Sequence, residues 1–134
     1  MRREGASVMA KIIVIDDEGA IRSTVRRILE RVGHQVWEAE DGKAGLGLIG
    51  REAPDLVITD LLMPEKEGIE TIQELRATDS DLPIVAISGA GSAEEGGPLL
   101  DAELFGANAT LPKPFSASDL QETVDRVLAD TGRG

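Results

Sequence analysis

Five side chains able to do chemistry each follow directly on an apolar run. Asp16 and Asp17 close the run Lys11-Ile-Ile-Val-Ile15, and Asp60 closes Asp55-Leu-Val-Ile-Thr. Ser88 closes Leu82-Pro-Ile-Val-Ala-Ile, and Lys113 follows Ala109-Thr-Leu-Pro112. Three carboxylates brought together repel one another, so one must be protonated or a cation must neutralise them. An oxygen-only donor set favours a hard cation, and a shallow, solvent-reached carboxylate site favours Mg²⁺. Lys113 lies between Pro112 and Pro114 and has little backbone freedom. Its ammonium could be aimed at the carboxylates or at a phosphoryl group held on them. The flanking prolines admit a cis Lys113-Pro114 bond. Taken singly, each Asp reads foremost as a helix cap or turn residue, Asp17 above all, and Lys113 can be read as a solvated loop lysine. Only their joint placement is hard to assign to turns.

The elements that must position these residues alternate regularly. A β-branched strand at 11–15 precedes a helix marked by Ile21, Val25, Ile28, Leu29 and Val32, with Gly33 as its stop. Residues 34–39 read as an alternating edge strand, and a weak, glycine-rich helix follows over 42–49. A third strand, 55–60, is introduced by Pro54; Ile69, Ile72 and Leu75 mark a third helix; a fourth strand covers 82–88. A short fourth helix is expected at 99–105 and a fifth strand at 109–112. Leu120, Val124, Val127 and Leu128 give a last amphipathic helix, capped by Ser116 or Ser118 and ended by Gly132. Such alternation implies a parallel sheet covered on both faces, which binds its ligands at the carboxyl ends of its strands. Each of the five side chains sits at such an end.

Composition narrows the classes. The chain has 134 residues, with 25 acidic and 14 basic side chains, a net charge of −11. One domain is expected, as a flexible arm over 1–10, a folded unit over 11–130 and a tail over 131–134. With no cysteine, disulfides, thiolate metal sites and a cysteine nucleophile are excluded. The negative charge argues against nucleic-acid binding by this domain. No apolar run approaches the roughly 20 residues of a membrane span, and no signal peptide is visible, so the cytoplasm is the expected location. Met9, just before the first strand, is a candidate translation start. The only aromatics are Trp37, Phe105 and Phe115, so the core must be aliphatic.

Four segments in order carry a resemblance. Ile-Val-Ile-Asp-Asp-Glu, then Asp-Leu-Val-Ile-Thr-Asp-Leu-Leu-Met-Pro-Glu-Lys-Glu-Gly, then Ile-Val-Ala-Ile-Ser-Gly, then Leu-Pro-Lys-Pro-Phe together resemble a response-regulator receiver domain of the chemotaxis type, over about residues 10 to 130. The resemblance implies a flavodoxin-like, doubly wound α/β fold, with five parallel strands in the order 2-1-3-4-5 and five helices. It implies that Asp60 accepts a phosphoryl group from a phosphohistidine on a sensor histidine kinase or phosphotransfer protein. It further implies that Asp17, Asp60 and the Leu62 backbone carbonyl bind Mg²⁺ directly and Asp16 through water. Lys113 would pair with Asp60 and then with the phosphoryl group. Ser88 would donate its hydroxyl, and a backbone N–H of Leu61 or Gly89 would add a further donor. The output would be a protein-interaction surface on the fourth helix, fifth strand and fifth helix, read by a downstream protein target.

Two departures stand out. The family's usual Tyr or Phe three residues before the lysine is Thr110 here, which has no ring to serve as an aromatic switch. The stretch between Ser88 and Lys113 holds Gly89, Gly91, Gly96, Gly97 and Gly106, which predicts a mobile loop over 89–97 and a late-starting fourth helix. Leu62 and Ala90 carry no group to orient an attacking water, which predicts slow self-hydrolysis.

Other residues read as structural. His34 opens a strand, and Phe105 and Phe115 belong to the core, with Trp37 half-buried. Arg22, Arg26, Arg27 and Arg31 form a basic stripe, read as a solvated face or a docking face for the kinase. Two competing readings remain. A small-molecule phosphatase with an aspartate nucleophile would typically carry a second Asp two residues on, where Leu62 stands. A degenerate interaction module would not keep the full set Asp16, Asp17, Asp60, Ser88 and Lys113.

Overall fold

The computed structural model describes residues 9–61, 68–88 and 106–131. The elements are β1 (Lys11–Ile15), α1 (Gly19–Arg31), β2 (Gln35–Ala39), α2 (Gly42–Glu52), β3 (Leu56–Asp60), α3 (Gly68–Thr78), β4 (Ile84–Ser88), β5 (Ala109–Pro112) and α4 (Ala117–Thr131). All five strands run parallel in the order β2-β1-β3-β4-β5, the doubly wound order that the resemblance implies. Four helices lie among the described residues; the helix expected at 99–105, the Gly89–Gly97 stretch, Phe105 and Gly132 fall outside them.

Side chains alternate across the sheet and so build two cores. Ile12, Val14, Leu56, Ile58, Val85, Ile87 and Leu111 face α1 and α4, whose Val25, Leu29, Leu120 and Val124 cover them. Ile13, Ile15, Val57, Ile84 and Ala86 face the other way, toward Leu46 and Ile49 of α2 and Ile72 and Leu75 of α3. Every residue of β3 is buried, as the uninterrupted apolar run of a central strand requires. β2 lies at the edge, and its Trp37 is half-buried with the Lys11 ammonium 6.0 Å above the ring. Phe115 packs half-buried against the α1/α4 core.

Local chemistry sets the element ends. Asp41 caps α2 by accepting the Ala44 N–H at 2.8 Å. At α4 the structure chooses between the two candidate serines. Ser116 Oγ accepts the Asp119 N–H at 3.0 Å, and the Asp119 carboxylate accepts the Ser116 N–H at 3.1 Å, a reciprocal cap. Gly33, at φ 104°, ends α1 in the left-handed region that glycine adopts without penalty. The folded unit reaches back into the expected arm. Ala10 is buried, its N–H donates to His34 Nδ1 at 3.0 Å, and its carbonyl accepts the Gln35 N–H at 2.9 Å. His34 is thus a structural acceptor, and burial pushes its pKa down while Asp125 partly offsets this.

Further from the site, Arg76 ties β4 to the approach of β5. Its guanidinium donates to the carbonyls of Leu82 and Gly106 and, at 2.8 Å, to Asn108 Oδ1. Asn108 Oδ1 also accepts the Ile84 N–H at 2.8 Å, which fixes where β4 begins.

The glycines of α2 make an internal comparison. A Cβ on Gly45 would overlap Ile15 Cδ1 and lie 2.7 Å from Ile15 Cγ1, so α2 approaches β1 only because Gly45 lacks a side chain. A Cβ on Gly50 meets nothing within 4 Å. Gly45→Ala is therefore expected to destabilise by about 1–2 kcal/mol, overpacking outweighing the gain in helix propensity. Gly50→Ala should stabilise by about 0.5–1 kcal/mol. Urea midpoints at constant slope check this, and shifts of the same sign for both would contradict the packing argument.

Candidate functional site

The carboxyl ends of β1 and β3 lie side by side, because Ile15 of β1 registers with Thr59 of β3. Asp16 and Asp17 follow β1 directly and Asp60 ends β3, so parallel pairing alone brings the three carboxylates to one rim. One oxygen from each of Asp16, Asp17 and Asp60 lies within 4.8 Å of the others. Asp16 and Asp60 are buried and Asp17 is exposed, so the cluster opens to solvent on one side. This oxygen-only set, partly open to water, fits a hard divalent cation.

Lys113 reaches the cluster from the far side of the sheet. β5 pairs with β4 so that Pro112 registers with Ser88, and Lys113 then leaves the strand before a cis Lys113-Pro114 bond. Its Nζ lies 3.3 Å from Asp60 Oδ2, 3.4 Å from Asp16 Oδ2 and 3.4 Å from Glu18 Oε1. Burial alone would lower the pKa of this ammonium, but attraction to Asp16 and Asp60 outweighs it and holds the pKa above its ordinary value. Asp16 is affected in the opposite sense. Burial pushes its carboxyl up to about 6 from 3.8, aided by the charge of Asp60 and opposed by the Glu18 N–H and by Lys113. Thus Asp16 holds a proton more tightly than a free carboxyl does, as burial beside a second carboxylate requires.

The remaining predicted residues are placed as follows. Ser88 ends β4 at the same rim. Thr110 is half-buried on β5, where Ala86 registers with it and Thr59 registers with Ala86 in turn. Leu62, Gly89 and Ala90 lie outside the described residues. One expectation needs correction: the Leu61 N–H donates to the Ile87 carbonyl at 3.0 Å, so the sheet already engages it, and it is not a donor held ready for a ligand. The basic stripe on α1 also divides. Arg22 donates to the Asp16 carbonyl at 2.6 Å and pairs with Glu38 at 3.2 Å, while Arg26 pairs with Glu30 at 3.0 Å and Glu38 at 3.3 Å. Arg27 and Arg31 stay exposed.

Two contacts escaped the sequence. Glu18 joins Lys113, and Arg22 braces the Asp16 backbone. Glu18 directly follows the acidic pair, but its partner lies 95 residues away, and no local pattern links the two.

The strand order and this lysine-bridged acidic rim define a doubly wound α/β domain with an anionic site at the switch of its sheet. The family profile described as response regulator receiver domain matches residues 12–125, and the chain belongs to that family, whose members signal in two-component systems. Among its relatives is Response regulator MprA of Mycolicibacterium vanbaalenii, 38% identical over 128 residues, covering 92% of this chain and 54% of that protein. Response regulator MprA of Mycobacterium leprae is 36% identical over 121 residues, covering 90% and 52%. The chain thus spans about half the length of these relatives. Among solved structures, a response regulator receiver domain protein from Clostridium thermocellum superposes with a TM-score of 0.84 at 28% identity, covering 92% of this chain and 98% of that one. NtrX from Brucella abortus gives 0.87 at 33% identity, covering 93% of this chain and 28% of that one. The chemotaxis protein CheY4 of Vibrio cholerae gives 0.82 at 31% identity, covering 90% and 100%. No helix among the described residues is long and apolar enough to cross a membrane.

Proposed function

We propose that Asp60 accepts a phosphoryl group from a phosphohistidine on a sensor histidine kinase or histidine phosphotransfer protein, and that the modified domain engages a downstream protein target. The observation that carries this reading is the Lys113 ammonium, 3.3 Å from Asp60 and 3.4 Å from Asp16, at the edge of a three-carboxylate cluster. An Asp60 carboxylate oxygen attacks phosphorus, the phosphorus–nitrogen bond breaks, and the departing imidazole takes up a proton. The product is an acyl phosphate. Mg²⁺ held by Asp17, Asp60 and the Leu62 carbonyl, with Asp16 bound through water, would offset charge on the transferring oxygens. Lys113 supplies a second positive charge from the protein itself, and the Ser88 hydroxyl donates to a phosphoryl oxygen in the activated state.

The added group carries charge near −2 and new acceptor oxygens, and these bias the site's surroundings. With Thr110 in place of an aromatic, an aromatic rotamer does not transmit the change. The apolar Leu62 and Ala90 leave the acyl phosphate slow to hydrolyse. The domain acts in the cytoplasm, as a signalling module that binds neither nucleic acid nor membrane.

Incubation with Mg²⁺ and a small acyl phosphate or phosphoramidate tests the reading by intact mass. The wild type should gain one phosphoryl group, and Asp60→Ala none. A gain that survives in Asp60→Ala, or no gain with any donor, would overturn it.

A further inference from the structure

We infer that Glu18 is a positioning residue, the carboxylate that holds one arm of the Lys113 ammonium until an anionic group on Asp60 displaces it. This rests on the phosphoryl-acceptor reading. An ammonium has three donors. Among the described residues, Lys113 Nζ has three carboxylate partners, at 3.3 Å (Asp60), 3.4 Å (Asp16) and 3.4 Å (Glu18). The Asp60 arm passes to the phosphoryl group along with the acylated carboxylate, so a second contact from the ammonium to that group is made only if Asp16 or Glu18 lets go.

Burial decides which one. The Asp16 side chain is 0% exposed, whereas that of Glu18 is 62% exposed. A buried carboxylate that loses its cation has no water to replace it, but an exposed one is rehydrated at once. Glu18 is thus the arm that yields at least cost. The backbone also ties Glu18 to the site. Its N–H donates to Asp16 Oδ1 at 2.9 Å, which leaves Asp16 Oδ2 to face Lys113. It stands at the N-cap of α1 in extended conformation, yet its side chain makes no capping hydrogen bond.

Glu18 should then compete with any tetrahedral anion for Lys113. Beryllofluoride binding at saturating Mg²⁺ is the measurement. Glu18→Gln is expected to tighten it roughly two- to fivefold, the range of an exposed ion pair, with the thermal midpoint unchanged. In a Lys113→Met background the same substitution should give no gain. An unchanged affinity in the single variant, or a gain that persists without Lys113, would overturn the inference. If Lys113→Met binds no analogue, Glu40→Gln, at an exposed acid just after β2, serves instead, and an equal gain there marks a general charge effect and overturns it. A wild type that neither binds the analogue nor gains a phosphoryl group would instead sink the acceptor reading.

Discussion

Asp16→Asn is expected to stabilise the cation-free protein at neutral pH by roughly 1–2 kcal/mol while impairing its binding of Mg²⁺. The Asp16 carboxyl titrates near 6 when folded and near 3.8 when unfolded. The folded state therefore binds the proton more tightly, and stability from this group is fully present below about pH 4 and lost as pH rises through 6. That displacement corresponds to roughly 3 kcal/mol against the folded state at neutral pH. The pull of Lys113 is already contained in that displacement, but asparagine, while keeping the acceptor for the Glu18 N–H, puts an amide N–H where Oδ2 accepts from Lys113, and this lost hydrogen bond takes back roughly 1 kcal/mol. The difference between variant and wild type should be small at pH 4 and grow to a plateau above pH 7, read from urea midpoints in a chelating buffer. Mg²⁺ should close the gap, because it stabilises the wild type in proportion to its occupancy and acts little on the variant. A destabilised variant at neutral pH, or a difference independent of pH, would show that the carboxylate is not held at the expense of the fold.

Lys113→Met should slow phosphoryl uptake about a hundredfold and yet tighten Mg²⁺ binding several-fold. The two effects have opposite signs because the ammonium and the cation want the same oxygens. In the unmodified protein Lys113 occupies Asp60 Oδ2 and Asp16 Oδ2, so removing it frees carboxylate charge for the metal. During transfer, charge develops on the phosphoryl oxygens, and a positioned cation acts there without reorganising solvent. Methionine keeps the apolar stem and so preserves packing around the half-buried side chain. Initial rates with phosphoramidate and titration with Mg²⁺ separate the two effects. Uptake at the wild-type rate would remove Lys113 from the reaction, and weaker Mg²⁺ binding would mean that the lysine orients the carboxylates rather than competing for them.

The sequence made much of this legible because its patterns are local. Five β-branched or apolar runs separated by helical stretches define parallel strands, and the polar residue that stops each run is carried to the same rim as the others. Asp16, Asp17, Asp60 and Lys113 were therefore readable as a set, and so were the edge position of β2 and the structural role of His34. Choices between neighbouring residues were less legible. Ser116 and Ser118 differ as caps only in where α4 begins, and the amide of Leu61 reads as available until β4 is seen to engage it. Gly45, Gly47 and Gly50 look alike in sequence, yet of these three only Gly45 lies under Ile15.

The sequence alone determined the class of this domain, the order of its elements and the residue types at the strand ends, because strand and helix periodicity depend on near neighbours in the chain. The tertiary structure decided what those residues do to one another. It raised the Asp16 carboxyl through burial, gave Lys113 three acidic partners and drew Glu18 into that group. Burial and charge pairing arise between segments up to 97 residues apart, and distances at that separation exist only once the sheet has closed.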